Sequence, residues 1–404
     1  MKILILAPYP PFPPHGGGAL RIYNLICELA KQHELTCLSF APNAAAVEAL
    51  APLREHCRVV TVLGPPPRSL AQRVLTTLAS ALPDMAHRNA SAAYQAALAD
   101  LLADERFDIV QAESIEMAQF GVQRMGSTKP LTVLDEFNAE YLLQRRAAIN
   151  DLRRPGSARR LAGGLYSLVQ WAKLAAYERR MVRVYDRLLV VSRADRAAIK
   201  RLWPAADPAI IPNGVDTAYF APDPASAVSD QVSIVFTGTL DYRPNVDAAL
   251  WFANEVLPLI RAVRADVRLL LVGRSPAPAV RALHDGHTVE VLGEVPDVRP
   301  YIGGAACYVV PMRIGGGVRL KLLEALAMAA PVVSTTMGAE GVDELRNSAQ
   351  LLIADAPAAF AAAVLRLLDD PQLATRLGQA GRALACAQYD WQAIVPRLEQ
   401  VYSM

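Results

Sequence analysis

Short, unbroken apolar runs alternate with stretches of helical periodicity along nearly the whole chain, and that alternation admits few folds. In the first half the runs fall at 3–6, 35–40, 59–63, 109–111, 132–134 and 187–191. Between them, segments such as 20–31 and 92–102 repeat apolar residues at helical spacing. A strand that is apolar at every position is buried on both faces. Such strands separated by helices make a parallel sheet covered on both sides. Pro204, Pro208, Pro212, Pro222 and Pro224 then crowd a region around Asn213-Gly214 with little helix signal. Beyond it the pattern restarts, with runs at 232–237, 267–272, 288–292, 306–310, 332–335 and 351–353. The reading is an α/β chain of two Rossmann-like, doubly wound parallel-sheet domains with a linker near 205–211. Ligands of such sheets sit beyond the carboxyl ends of the strands, so two of them facing each other would hold a ligand in the cleft between.

Size and charge agree. At 404 residues the chain is too long for one ordinary core. With 53% hydrophobic and 20% charged residues it is globular, and a net charge of +2 argues against a dedicated nucleic-acid binder. The five cysteines are scattered without metal spacing, as buried reduced thiols would be. The apolar start stops at Pro8, too short for a signal peptide, and no run of about 18 apolar residues suggests a spanning helix. A cytoplasmic protein is expected. Residues 151–187 stand apart, with nine Lys/Arg against three Asp/Glu. Leu165, Leu168, Trp171, Leu174 and Tyr177 recur there at helical spacing. A basic amphipathic helix of that kind can lie on an anionic membrane surface, which would make the protein peripheral on the inner face of a membrane, or can pack one face on the first sheet with the other in water.

The chemistry concentrates in 305–335. An apolar run leads to Arg313, Gly315, Gly316, Gly317 and Val318, then to a helix bearing Arg319, Lys321 and Glu324, then to a second apolar run after Pro331. Strand, glycine loop and helix can hold a phosphate, because the free N–H groups and the dipole of a helix N-terminus favour an anion. Two cations and a carboxylate one turn on suit a nucleotide diphosphate and its ribose. The first half has its own glycine loop, Gly16, Gly17 and Gly18 followed by Arg21, directly after the first strand. Asp135, Asn138 and Glu140 follow the strand at 132–134.

Several segments together resemble glycosyltransferase family 4, the group 1 glycosyltransferases of GT-B fold. They are Ile211-Pro212-Asn213-Gly214-Val215-Asp216, Val190-Val191-Ser192-Arg193-Ala194-Asp195 and Phe236-Thr237-Gly238-Thr239-Leu240-Asp241 with Pro244-Asn245-Val246-Asp247. Leu271-Val272-Gly273, Val291-Leu292-Gly293-Glu294-Val295 and Tyr389-Asp390-Trp391 complete the set. The resemblance implies a first domain over 1–207 completed by a C-terminal helix at 388–404, and a donor domain over 208–387. It implies a retaining, metal-independent transfer of a sugar from a nucleotide-diphosphate-sugar to a glycan or lipid-linked acceptor, as in cell-surface polysaccharide or glycolipid synthesis. No metal site and no cofactor besides that co-substrate are expected, since no Asp-x-Asp-like motif is evident.

In that frame Arg319, Lys321 and Glu324 form the catalytic set. Gly238, Thr239, Asn245, Val291, Gly293, Val295, Gly315, Gly316, Gly317 and Val318 line the donor. Gly16, Gly17, Gly18, Arg21, Asp135, Asn138 and Glu140 face the acceptor or the phosphates. The family often has two glutamates eight positions apart on the loop and helix; here the second is Glu324 and the first position holds Gly316. An Arg and a Lys usual in the first loop of the donor domain are Thr239 and Asn245 here. Arg319 and Lys321 are therefore expected to carry the phosphate. The same departures suit a non-catalytic nucleotide-sugar-binding homologue, and a nucleotide-sugar isomerase of GT-B fold is a further alternative. A Rossmann oxidoreductase lacks its G-x-G-x-x-G spacing here.

Overall fold

The computed structural model describes all residues except 66, 122–128, 154–157, 224–231 and 316, and gives the backbone alone at 150, 151, 153 and 158–162. The chain divides into two compact units: Met1–Pro212 with Val395–Met404, and Asn213–Ile394.

The first unit holds seven parallel strands: β1 (Lys2–Ala7), β2 (Glu34–Ala41), β3 (Arg58–Leu63), β4 (Ile109–Glu113), β5 (Leu131–Glu136), β6 (Arg187–Val190) and β7 (Ala209–Ile210). Their order is β3-β2-β1-β4-β5-β6-β7. Ile3, Leu4, Ile5 and Leu6 are all buried, as a central strand covered on both faces requires. Phe40, Tyr94 and Phe120 stack within the core, with ring centroids 4.4 and 4.6 Å apart. The second unit holds six parallel strands: β8 (Ser233–Thr237), β9 (Arg268–Val272), β10 (Val289–Gly293), β11 (Cys307–Val310), β12 (Val332–Ser334) and β13 (Leu352–Ile353), ordered β10-β9-β8-β11-β12-β13. Phe360 packs edge-on against Trp251 and Phe252 beneath this sheet.

In each sheet the order reverses beside its first strand, between β1 and β4 and between β8 and β11. Chains leaving two such neighbours turn to opposite faces and open a crevice at the carboxyl ends. The loops 8–16 and 114–118 flank one crevice; 238–242, 311–315 and 317–319 flank the other.

Two expectations shift. Strand β7 lies in what reads as linker. It is two residues long, between Pro208 and Pro212, and shows no periodicity, yet it pairs with β6 through Leu189↔Ala209 and Val190↔Ile210. It carries the boundary from 207/208 to 212/213. The return to the first unit falls inside the helix Trp391–Ser403 rather than ahead of it at 388. The helix Ala158–Met181 also turns part of its expected outer stripe inward. Leu174 and Tyr177 are buried in the first unit's core and Trp171 packs against it, while Leu165 is exposed. Among the described residues no helix is long and apolar enough to cross a membrane.

Candidate functional site

In the second unit three neighbouring strands end in glycines with positive φ: Gly238 after β8 (146°), Gly273 after β9 (150°) and Gly293 closing β10 (73°). They are stitched side by side, with Gly238 N–H donating to Val272 O at 2.9 Å and Gly273 N–H to Gly293 O at 2.7 Å. A Cβ on Gly273 would lie 1.7 Å from Gly238 O, and one on Gly238 would lie 2.5 Å from Lys321 Nζ. At Gly238 and Gly273 only bare backbone fits, whereas a Cβ on Gly293 would meet open space.

Lys321 reaches this edge from the helix Leu320–Ala327, whose N-cap is Arg319. Its ammonium donates to Asn245 Oδ1 at 2.9 Å and stands 4.0 Å above the Phe236 ring. Asn245, in the helix Arg243–Trp251, is itself fixed by donating from Nδ2 to Thr239 O at 2.9 Å. Through both ends the amide thus aims Lys321. Burial pushes the Lys321 ammonium down to about 7; Glu324 opposes that and Arg319 adds to it. Burial pushes Glu324 up to about 7, held down in part by Lys321. Arg319 folds back so that its Nη2 lies 2.9 Å from where a Gly315 Cβ would be. Gly317 and Val318 complete the turn, and Val318 packs against Gly341. Gly316 lies outside the described residues.

The structure therefore brings Arg319, Lys321, Glu324, Gly238, Thr239, Asn245, Gly315, Gly317 and Val318 to the β8–β11 crevice. Val291, Gly293 and Val295 stand two strands away at the end of edge strand β10. Arg313 is turned elsewhere: it grips Asp247 through two hydrogen bonds of 3.0 and 2.8 Å. Sequence reasoning missed Phe236 as a platform. Its signal was that it belongs to a buried apolar strand, which says nothing of what lies above its ring.

In the first unit Gly16 is the N-cap of the helix Gly17–Leu29. Gly18 passes beneath Tyr9, whose Oη would lie 1.9 Å from a Cβ there, with Phe137 alongside. Arg21 is turned into the unit. It is 1% exposed and binds Asp135, 0% exposed, through Nε at 2.8 Å and Nη2 at 3.0 Å. Nη1 donates to Pro212 O at 2.9 Å. Both residues are corrected to an internal role: they fasten the glycine-loop helix to β5 and to the segment leaving the unit.

Beside that pair, Glu113 on β4 is held up at about 8, by burial first and then by Asp135, with Gln111 and Arg21 pulling it down. Gln111 donates to Glu113 at 2.7 Å and accepts from Tyr402 at 2.6 Å. Asn138 and Glu140 are partly exposed and joined at 3.3 Å, with Glu140 pushed up to about 7 chiefly by burial. Tyr9, Phe137, Asn138, Glu140 and the half-buried Glu116 thus border the β1 and β4 loops. Neither Tyr9 nor Glu116 stood out in the sequence.

Residues 15–219 match the family model described as Glycosyltransferase Family 4, and residues 231–370 the model for Glycosyl transferases group 1. A phosphatidyl-myo-inositol mannosyltransferase of Propionibacterium freudenreichii is 29% identical over 234 residues, covering 56% of this chain and 58% of that protein. The chain spans from about a third to about two thirds of the length of the curated relatives it matches first. Among solved structures, sucrose-phosphate synthase of Thermosynechococcus elongatus superposes with TM-score 0.74 at 19% identity, covering 100% of this chain and 98% of that one. HepE of Anabaena, determined in complex with UDP, superposes with TM-score 0.70 at 14% identity over the full length of both.

Proposed function

Because the chain belongs to glycosyltransferase family 4, with the GT-B fold of two parallel-sheet domains, we propose that it transfers a sugar from a nucleoside-diphosphate sugar to an acceptor hydroxyl. The observation that carries the reading is the Arg319–Lys321–Glu324 constellation at the amino end of a helix, beside a bare backbone edge. A departing diphosphate needs positive charge where charge develops. Arg319 grips phosphate through its fork and Lys321 as a point charge, without calling on a metal. Glu324, one turn on, accepts from the ribose hydroxyls. The nucleobase lies toward Val291 and Val295. The UDP bound by HepE supports a donor of this class.

Transfer proceeds with retention. The acceptor oxygen attacks the anomeric carbon from the face the diphosphate leaves. As the bond from that carbon to the phosphate oxygen breaks, the acceptor proton passes to a phosphate oxygen, and the nucleoside diphosphate departs. The acceptor is a glycan or a lipid-linked sugar, held by the β1 and β4 loops of the first unit with Asn138 and Glu140 toward its hydroxyls. Cell-surface polysaccharide or glycolipid synthesis uses such acceptors. A thermal-shift panel of nucleotide sugars, followed by transfer assays with the donor that binds, tests the reading. Lys321→Ala should lower turnover by about 10²-fold or more, and the product should keep the donor's anomeric configuration by NMR. Tight donor binding with no transfer to any acceptor would instead assign a binding protein.

A further inference from the structure

The helix Leu70–Ala79 is built inside out. The face it turns to its own unit is polar: Arg73, Thr76 and Thr77, with Ser80 at the C-cap, at the i, i+3, i+4, i+7 spacing of one helical side. Arg73 reaches Tyr166 at 3.3 Å and Asp84 at 3.2 Å. Gln170 donates to Thr77 at 3.0 Å, and Lys173 donates to the carbonyls of Thr77 and Ser80. The opposite side repeats the same spacing with Ala71, Val74, Leu75 and Leu78, and it lies in water. Leu70 is 75% exposed, Val74 48%, Leu75 65% and Leu78 82%. No residue of this helix is buried. It is nonetheless well formed, with Ser69 and Gln72 closing a capping box. Its partner along the polar seam, the helix Ala158–Met181, exposes Leu165 and Val169 beside that seam.

An apolar side so exposed on an ordered helix marks an interaction surface. The charge around it selects the partner. Arg179, Arg180 and Arg183 are exposed at the end of the neighbouring helix. Asp84, the acid at the seam, is already engaged by Arg68 and Arg73. An apolar stripe with a positive border fits anionic lipid, whereas a second copy would set like charges against each other. A helix of this length is about 15 Å long, too short to span a bilayer, so it would lie in the plane of the interface.

We propose that the helix Leu70–Ala79 seats the protein on an anionic membrane, with Val74, Leu75 and Leu78 among the acyl chains and the arginines of the neighbouring helix at the headgroups. The seat differs from the one expected in 151–187, whose stripe is partly spent on the core. It stands apart from the sugar-transfer reading, since binding needs neither donor nor acceptor. The test is co-sedimentation of the full chain with vesicles of phosphatidylcholine, alone or mixed with phosphatidylglycerol, at low and high salt. Wild type should bind the mixed vesicles at low salt and weaken as salt rises. The Leu75→Glu/Leu78→Glu variant should melt as wild type does yet lose at least about tenfold in partitioning. A Leu78→Trp variant, which keeps the stripe apolar, should gain a blue-shifted emission on adding those vesicles. No binding of wild type at low salt, undiminished binding of the double variant, or no blue shift would overturn the proposal. So would concentration-dependent self-association, abolished by Leu78→Glu, in a protein that ignores vesicles.

Discussion

Lys321→Met offers a test in which pH and UDP each set wild type apart from the variant. In the free protein burial depresses the Lys321 ammonium from 10.5 to about 7. The sign follows from linkage. Below about pH 7 the side chain is charged both folded and unfolded, so the full cost of burying the charge weighs on the fold. Between about 7 and 10.5 the folded protein sheds the proton and that cost falls away. Each pH unit in this window is worth about 1.4 kcal/mol, or about 1 kcal/mol after discounting for the partial solvent contact of the side chain. Wild type should therefore gain about 2 kcal/mol on the methionine variant between about pH 7 and 9, or roughly 4–8 °C in melting temperature for a unit of this size. Glu324 pushes the same way: without Lys321 its carboxyl rises further, so the variant carries a larger cost above neutrality. At pH 7 the two proteins should differ less. Methionine relieves the buried charge but forfeits the contact over Phe236, worth about 0.5–2 kcal/mol, and strands Asn245 Oδ1, at about 1–3 kcal/mol. Saturating UDP should flatten this pH dependence, because a diphosphate restores the proton to Lys321, and should stabilise wild type more than the variant. Thermal melts of both proteins at two pH values, with and without UDP, read all of this. Parallel pH dependence of the two proteins, or an equal UDP shift in both, would refute the reasoning.

Other consequences are as direct. Arg21→Ala leaves the buried Asp135 without its cation and should cost about 3–5 kcal/mol in denaturant titration; Arg21→Leu with Asp135→Leu should recover most of it, and an unaffected single variant would deny the ion pair its role. Glu324→Gln should weaken UDP binding about tenfold by calorimetry while leaving the fold intact; unchanged affinity would remove Glu324 from the ribose. Gly273→Ala drives a Cβ onto Gly238 O at φ +150° and should destabilise by roughly 3 kcal/mol or more. Gly286→Ala, at φ +75° in open space, should cost only about 1 kcal/mol, and equal losses in the two would contradict the packing argument.

What sequence reading could and could not reach divides along contact distance. Each six-strand series was visible because a strand buried on both faces is apolar at every residue. The clustering of Arg319, Lys321 and Glu324 was visible because they sit within six residues of one another on one helix start. The internal role of Arg21 was not, because its partner is 114 residues away and a buried arginine looks in sequence like any helical one. The part Asn245 plays in aiming Lys321 was hidden for the same reason: only the fold shows that it links Thr239 to Lys321, 76 residues on. The inverted helix Leu70–Ala79 marks a different limit. Periodicity shows that a helix has an apolar side, but not which side faces the protein.

The adjoining Gly238 and Gly273 have a consequence for how this family member could diversify. A wall made of backbone offers natural variation nothing to act upon. Substitution there breaks the strand ends rather than altering preference, so a saturation library would return those columns empty of viable change. A shift in ligand preference would have to be acquired around that pair, at side-chain positions such as Val291, Val295 and Thr239. The backbone edge would meanwhile be inherited unchanged by every specificity built upon it.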